Sequence, residues 1–193
     1  MTAPCKVVAV AAFILPSAPA SSLPPPSPAD RAGCATSTFI VDGDVCADPD
    51  LRALDARLRW LLTSHGERVA PGSTFIEPDE AWFSRRNQCA FQSDQRRCLA
   101  GAYAERRHLA DALQPPPAPA VHGSCGTGFP GVRLAIGSDS VAAYDDQGRI
   151  IALGALQAQP VWREYVSVRR SAKEVRFTTI DGATIRCSLQ KAR

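Results

Sequence analysis

Cysteine offers the widest chemistry in this 193-residue chain. A thiol can act as a nucleophile, a metal ligand or half of a disulfide. Seven occur, at Cys5, Cys34, Cys46, Cys89, Cys98, Cys125 and Cys187. Zinc calls for close Cys-x-x-Cys or His-x-x-x-His spacings. The chain has none, and His65, His108 and His122 are scattered. A thiol–base pair of Cys125 and His122 competes with a disulfide between Cys125 and Cys187, and we favour the disulfide. No metal or cofactor is expected, and no other reactive residues are spaced as a catalytic set.

Other motifs carry less. Gly126-Thr127-Gly128-Phe129-Pro130-Gly131 spells the dinucleotide-binding pattern. It holds an internal proline and precedes a strand pattern instead of a helix, so it reads as a loop. Asp145-Asp146 is an acid pair in a turn sequence, which is ordinary turn chemistry. Arg85-Arg86, Arg96-Arg97, Arg106-Arg107 and Arg169-Arg170 do not gather into one stripe with aromatics, which argues against nucleic acid as a partner. Asp42, Asp44, Asp48 and Asp50 surround Cys46 with no basic residue before Arg52. Asp48 is expected to cap a helix. Asp42, Asp44 and Asp50 are candidate contacts for a cationic protein, whose encounter an acidic patch would speed. Trp60 is a further candidate contact, on the side of its helix opposite a leucine stripe.

The N-terminal segment sets the redox context. Lys6 precedes nine apolar residues, 7–15, and Ala18-Pro19-Ala20 offers small residues at the −3 and −1 positions of a cleavage site. Residues 1–20 therefore read as a signal peptide. As a helix the apolar run spans ~14 Å, about half of a ~30 Å hydrocarbon core, so no transmembrane span is expected there or elsewhere. Arg31-Ala32-Gly33 before Cys34 lacks the leucine of a lipid-attachment site. Loss of residues 1–20 removes Cys5 and leaves six cysteines, an even count that reads as disulfides in an exported chain. Six cysteines allow fifteen pairings. They fall two, two and two along the chain, which suggests Cys34–Cys46, Cys89–Cys98 and Cys125–Cys187. The net charge of +3 is too small to argue for a polyanionic partner.

Periodicity divides the rest. Residues 21–33 are a proline-rich spacer, and 114–120 a proline-rich linker. Between them, residues 34–113 have helical spacing. Asp48-Pro49 starts a helix whose Leu51, Leu54, Leu58, Leu61 and Leu62 share a face, ending near His65-Gly66. A second helix is predicted from Asp79 through Cys89 and a third from Ser93 to about Leu113. Arg106 lies on the third helix's apolar face and needs a carboxylate partner; Asp55 is the candidate. Residues 121–193 alternate with period two. Candidate strands cover 132–136, 140–144, 149–153, 162–168, 175–180 and 183–187, with Asp181-Gly182 the strongest hairpin signal. The fold class is α+β: a disulfide-stapled three-helix module followed by an antiparallel β-meander or barrel-like module.

The helical residues carry a resemblance. Cys46-Ala47-Asp48-Pro49-Asp50-Leu51-Arg52-Ala53-Leu54-Asp55, then Trp82-Phe83-Ser84-Arg85-Arg86-Asn87-Gln88-Cys89, then Cys98-Leu99 with Tyr103 and Arg106, resemble the three elements of the LprI-type lysozyme inhibitor family. The resemblance covers about residues 34–113. One departure is Asn87, where the family usually has an acid, and this is expected to weaken any Arg86 ion pair. The second module is similar in architecture to the small β-barrel inhibitors of C-type lysozyme, without their central motif. The resemblance implies a periplasmic or secreted, non-enzymatic protein that binds lysozyme or another muralytic enzyme. The alternative is an envelope binding or assembly module with no lysozyme target.

Overall fold

Asp48 starts the best-defined helix. In the computed structural model, which describes residues 34, 39–114, 121–126, 129–156 and 161–190, its carboxylate accepts from the backbone N–H of Asp50 (3.0 Å) and Leu51 (3.2 Å). Pro49 fills the first helical position, where no N–H is needed. The predicted signal peptide (residues 1–20), the predicted spacer (21–33) and linker residues 115–120 lie outside the described residues.

Among the described residues, five helices form the N-terminal half. Helix α1 (Ile40–Ala47) precedes the first predicted one. Asp42 accepts from Phe39 N at its start (3.1 Å), and Val41 and Val45, one turn apart, are buried. Helix α2 (Pro49–Leu58) buries Leu51, Asp55 and Leu58 on one stripe. It stops at Arg59-Trp60 instead of running on to His65-Gly66. A separate short helix α3 (Leu61–His65) and a 3-10 turn (Gly66–Arg68) follow. Helix α4 (Asp79–Asn87) and a 3-10 turn (Gln88–Phe91) lead into α5 (Gln95–Ala112).

Among the described residues, seven strands form the other half: β1 (Val121–Cys125), β2 (Phe129–Ile136), β3 (Ser140–Tyr144), β4 (Ile150–Ala155), β5 (Val166–Arg170), β6 (Glu174–Thr179) and β7 (Thr184–Leu189). They close into a barrel in sequence order. The predicted meander lacked β1, which pairs with both β2 and β7 and completes the closure. The Asp181-Gly182 hairpin is present between β6 and β7, with Gly182 at φ 94°. The weakest seam is β4 to β5, a single parallel pair at Ala155 and Ser167. The two strands approach so closely there that a Cβ on Gly154 would lie 2.5 Å from Val168 Cγ2.

The helical half pairs with the part of β4 that β5 does not reach. Residues 69–75 run beside β4. Ala70 N donates to Ile150 O (2.8 Å) and Ser73 Oγ to Ile151 O (2.6 Å). Two parallel bridges, Val69 to Ile150 and Phe75 to Ala152, fix the register. The two modules read from the sequence therefore share a core. Leu61, Ile76, Leu109 and Leu113 from helices and loop pack with Ala142, Tyr144 and Ile150 from the barrel. Trp162, predicted as a strand residue, instead precedes β5 and is buried in the helical core. Gly101 on α5 admits it: a Cβ there would sit 2.6 Å from Trp162 Cβ. Gly101→Ala gains ~1 kcal/mol of helix propensity, but overpacking of this kind costs about 1–3 kcal/mol. The expected outcome is a lower thermal midpoint, measured by circular dichroism.

Three disulfides join Cys34 to Cys46, Cys89 to Cys98 and Cys125 to Cys187, as the division along the chain suggested. The third ties β1 to β7, where the two cysteines stand directly opposite each other. No helix among the described residues is long and apolar enough to cross a membrane.

Candidate functional site

Arg86 is fully buried, on the inner face of α4. A buried guanidinium demands acceptors, and three elements supply them. Asp42 of α1 accepts from Nη2 (2.7 Å) and Asp55 of α2 from Nη1 (2.8 Å). Tyr103 of α5 accepts from Nη1 (3.1 Å) while donating to Asp55 Oδ1 (2.7 Å). Burial pushes the Tyr103 phenol up, so it keeps its proton and can donate. The Phe83 ring lies 4.4 Å from the guanidinium carbon. Asn87 Oδ1 accepts from Arg86 Nη2 (2.9 Å). With Asn87 in place, Arg86 still forms ion pairs, to Asp42 and Asp55. Two carboxylates already face the cation, and Asn87 adds a neutral acceptor.

A second correction concerns Arg106. It does not meet Asp55. It pairs with Asp79 at the start of α4, and Nη1 donates to Glu77 O (3.3 Å). Asp79 also accepts from the backbone N–H of Leu62 and Thr63, so it ties α3, α4 and α5 together. Burial pulls Arg106 down to about 10, which leaves it cationic at neutral pH. Arg85 joins the two halves. Its Nη2 meets Glu77 and Glu105 (2.5 Å each), and its guanidinium stacks 4.0 Å from the Trp162 ring. Glu105 also accepts from Trp162 Nε1 (2.9 Å) and Tyr165 N (2.6 Å). These networks have their acids and bases committed to one another and hold the scaffold rigid.

The predicted contact residues separate. Asp42 is only 1% exposed and faces Arg86, so it offers no carboxylate to a partner. The burial follows from α1. Two residues apart on a helix is about 200°, so Asp42 turns inward while Asp44 turns out. Asp44 and Asp50 do come together. With Asp48, Asp94, Gln92 and Arg96 they line an open groove between the α1–α2 junction and the start of α5. Asp48 carries the cap bonds from Leu51 and Asp50, which hold its carboxyl below the usual range, and an ion pair to Arg96 (2.5 Å). Trp60 is half-buried against the helical core and lines a different groove, with Leu62, Pro71 and Pro78.

The sequence reading missed the apolar part of this surface. Phe91 is 84% exposed, next to groove residue Gln92, and Ile40 is 72% exposed, one turn before Asp44. Phe91 sits in the turn clamped by Cys89–Cys98. The hydropathy of a single Phe in a polar loop gives no signal of exposure. The groove is acidic, and exposed Phe91 and Ile40 lie within one helical turn, along the chain, of residues that line it. Such a surface can receive a cationic, partly apolar protein segment. Among the described residues no group of His, Cys, Asp and Glu is placed to hold a metal. Comparison with known proteins finds no matching family model and no matching curated relative.

Proposed function

We propose that this is an exported protein, periplasmic or secreted, that binds and inhibits a lysozyme or related peptidoglycan-cleaving enzyme by surface contact. The observation that carries the reading is the acidic groove of Asp44, Asp50 and Asp94 beside exposed Phe91. Lysozymes are typically cationic, and charge complementarity of this kind speeds encounter. The resemblance to LprI-type inhibitors supplies the target class. Its support is that Asp55, Arg86 and Tyr103, one from each resembling element, meet in one buried network. Three disulfides fit folding in an oxidising compartment.

The purified oxidised protein is expected to slow lysozyme turnover of cell walls at near-stoichiometric amounts. No inhibition across several lysozyme classes, with the fold verified, would sink the reading and leave an envelope binding or assembly module. The groove has its own test. Asp44→Asn with Asp50→Asn and Phe91→Ala should raise the inhibition constant about tenfold or more. The three side chains are exposed, so the thermal midpoint should not move. An unchanged inhibition constant would place the interface elsewhere.

A further inference from the structure

The barrel's outer face carries a feature that the arginine dipeptides do not announce. Arg169 on β5 stands directly opposite Arg176 on β6, and Arg176 directly opposite Arg186 on β7. Their alternate neighbours Val168, Val175, Phe177 and Cys187 point into the barrel, so the three arginines share the outside. Directly opposed residues have Cβ atoms about 4.5–5.5 Å apart, and like charges there destabilise the sheet. One acid is at hand: Glu174 Oε1 accepts from Arg176 Nη2 (2.9 Å). Among the described residues neither Arg169 nor Arg186 has an ion-pair partner. Arg176 Nε is buried with no acceptor. Lys173, in the β5–β6 turn, is exposed.

We propose that this row is a binding face for linear polyphosphate, whose internal phosphates each carry one negative charge. Guanidinium groups match phosphate oxygens with paired donors. Hydroxyls border the row on both sides. Ser167, Thr178 and Thr184 flank it along one edge, and Ser124 and Ser188 lie on the other. A chain with one charge per repeat and acceptors all round fits such a row. An acidic protein would add apolar contacts that this face does not offer. A lipid surface is disfavoured for a related reason. The two large hydrophobic side chains that stand exposed among the described residues, Ile40 and Phe91, belong to the helical half, so the row has no apolar anchor beside it. The face is independent of the acidic groove and of lysozyme binding; its meeting such a polymer in the envelope rests on the export reading alone.

The test uses the oxidised full chain and labelled inorganic polyphosphate, followed by fluorescence anisotropy across a salt series. The wild type should bind. Arg169→Gln with Arg176→Gln and Arg186→Gln should weaken binding at least tenfold. It should also flatten the slope of log affinity against log salt by about two, as for three phosphates no longer neutralised. Melting of the triple variant at the same or a higher temperature, because like-charge opposition is relieved, would show that lost binding is not lost fold. No polyphosphate binding at low salt would overturn the proposal, as would binding indifferent to the triple substitution. Equal affinity for poly-glutamate would overturn the phosphate assignment. Binding to vesicles containing phosphatidylglycerol without binding to polyphosphate would assign the face to a membrane instead.

Discussion

Arg86→Ala is expected to lower the unfolding free energy by about 3–5 kcal/mol, the range for breaking a buried ion pair from one side. That is a large share of the ~5–15 kcal/mol that holds a domain together. The substitution leaves Asp42 facing an empty volume with one remaining bond, from Phe39 N. Asp55 fares better, since Arg59 and Tyr103 still donate to it. Desolvated carboxylate, not lost attraction, therefore dominates the effect. A control follows from the same argument. Arg86→Met with Asp42→Asn removes one buried charge of each sign and keeps most of the volume, so it should recover a good part of the loss. Urea denaturation of the double variant, of Arg86→Met alone and of Asp42→Asn alone closes a double-mutant cycle. A coupling near zero between Arg86 and Asp42 would show that the network does not hold α1 to α4.

The fate of these charged residues explains what the sequence disclosed and what it withheld. The Asp48-Pro49 helix start and the Asp181-Gly182 hairpin were legible because their causes lie within a few residues: a cap bond in one, a positive-φ glycine in the other. The cysteine pairing was legible because each pair lies within one module. Ion-pair partners were not. Arg86 and Arg106 both fall on apolar helix faces, and nothing local says that the first takes Asp55 and the second Asp79. The acidic run around Cys46 looked like one patch. Helix α1, only eight residues with Gly43 inside it, divided the run by rotation. The arginine row was hidden by register, since its members are seven and ten residues apart and meet only once β5, β6 and β7 pair. Strand β1 (Val-His-Gly-Ser-Cys) has no alternating apolar pattern, so barrel closure could not be read either.

Removing the Cys125–Cys187 bond is expected to cost more than removing either helical bond, because it closes by far the longest loop. The sequence separations are 62, 12 and 9 residues. Chain entropy then gives about 4 kcal/mol for Cys125→Ala with Cys187→Ala, against ~2.5 kcal/mol for Cys89→Ala with Cys98→Ala. Geometry acts in the same direction. The long bond sits on the β1–β7 seam that completes the barrel, and both sulfurs are buried in the barrel core. A barrel opened there loosens β4 as well, and with it the core shared by Leu61, Leu109, Ala142 and Tyr144. The helical half should therefore unfold together with the barrel, as one transition by far-ultraviolet circular dichroism and by tryptophan fluorescence. Helices dominate the far-ultraviolet signal and Trp82 and Trp162 report on the helical core, so amide hydrogen exchange of β1–β7 over the same series follows the barrel. Two separated transitions would mean that the shared core contributes little. If the 9-residue loop proved the costlier one to open, native contacts around Phe91 and the acidic groove would be setting the stability, in place of chain entropy.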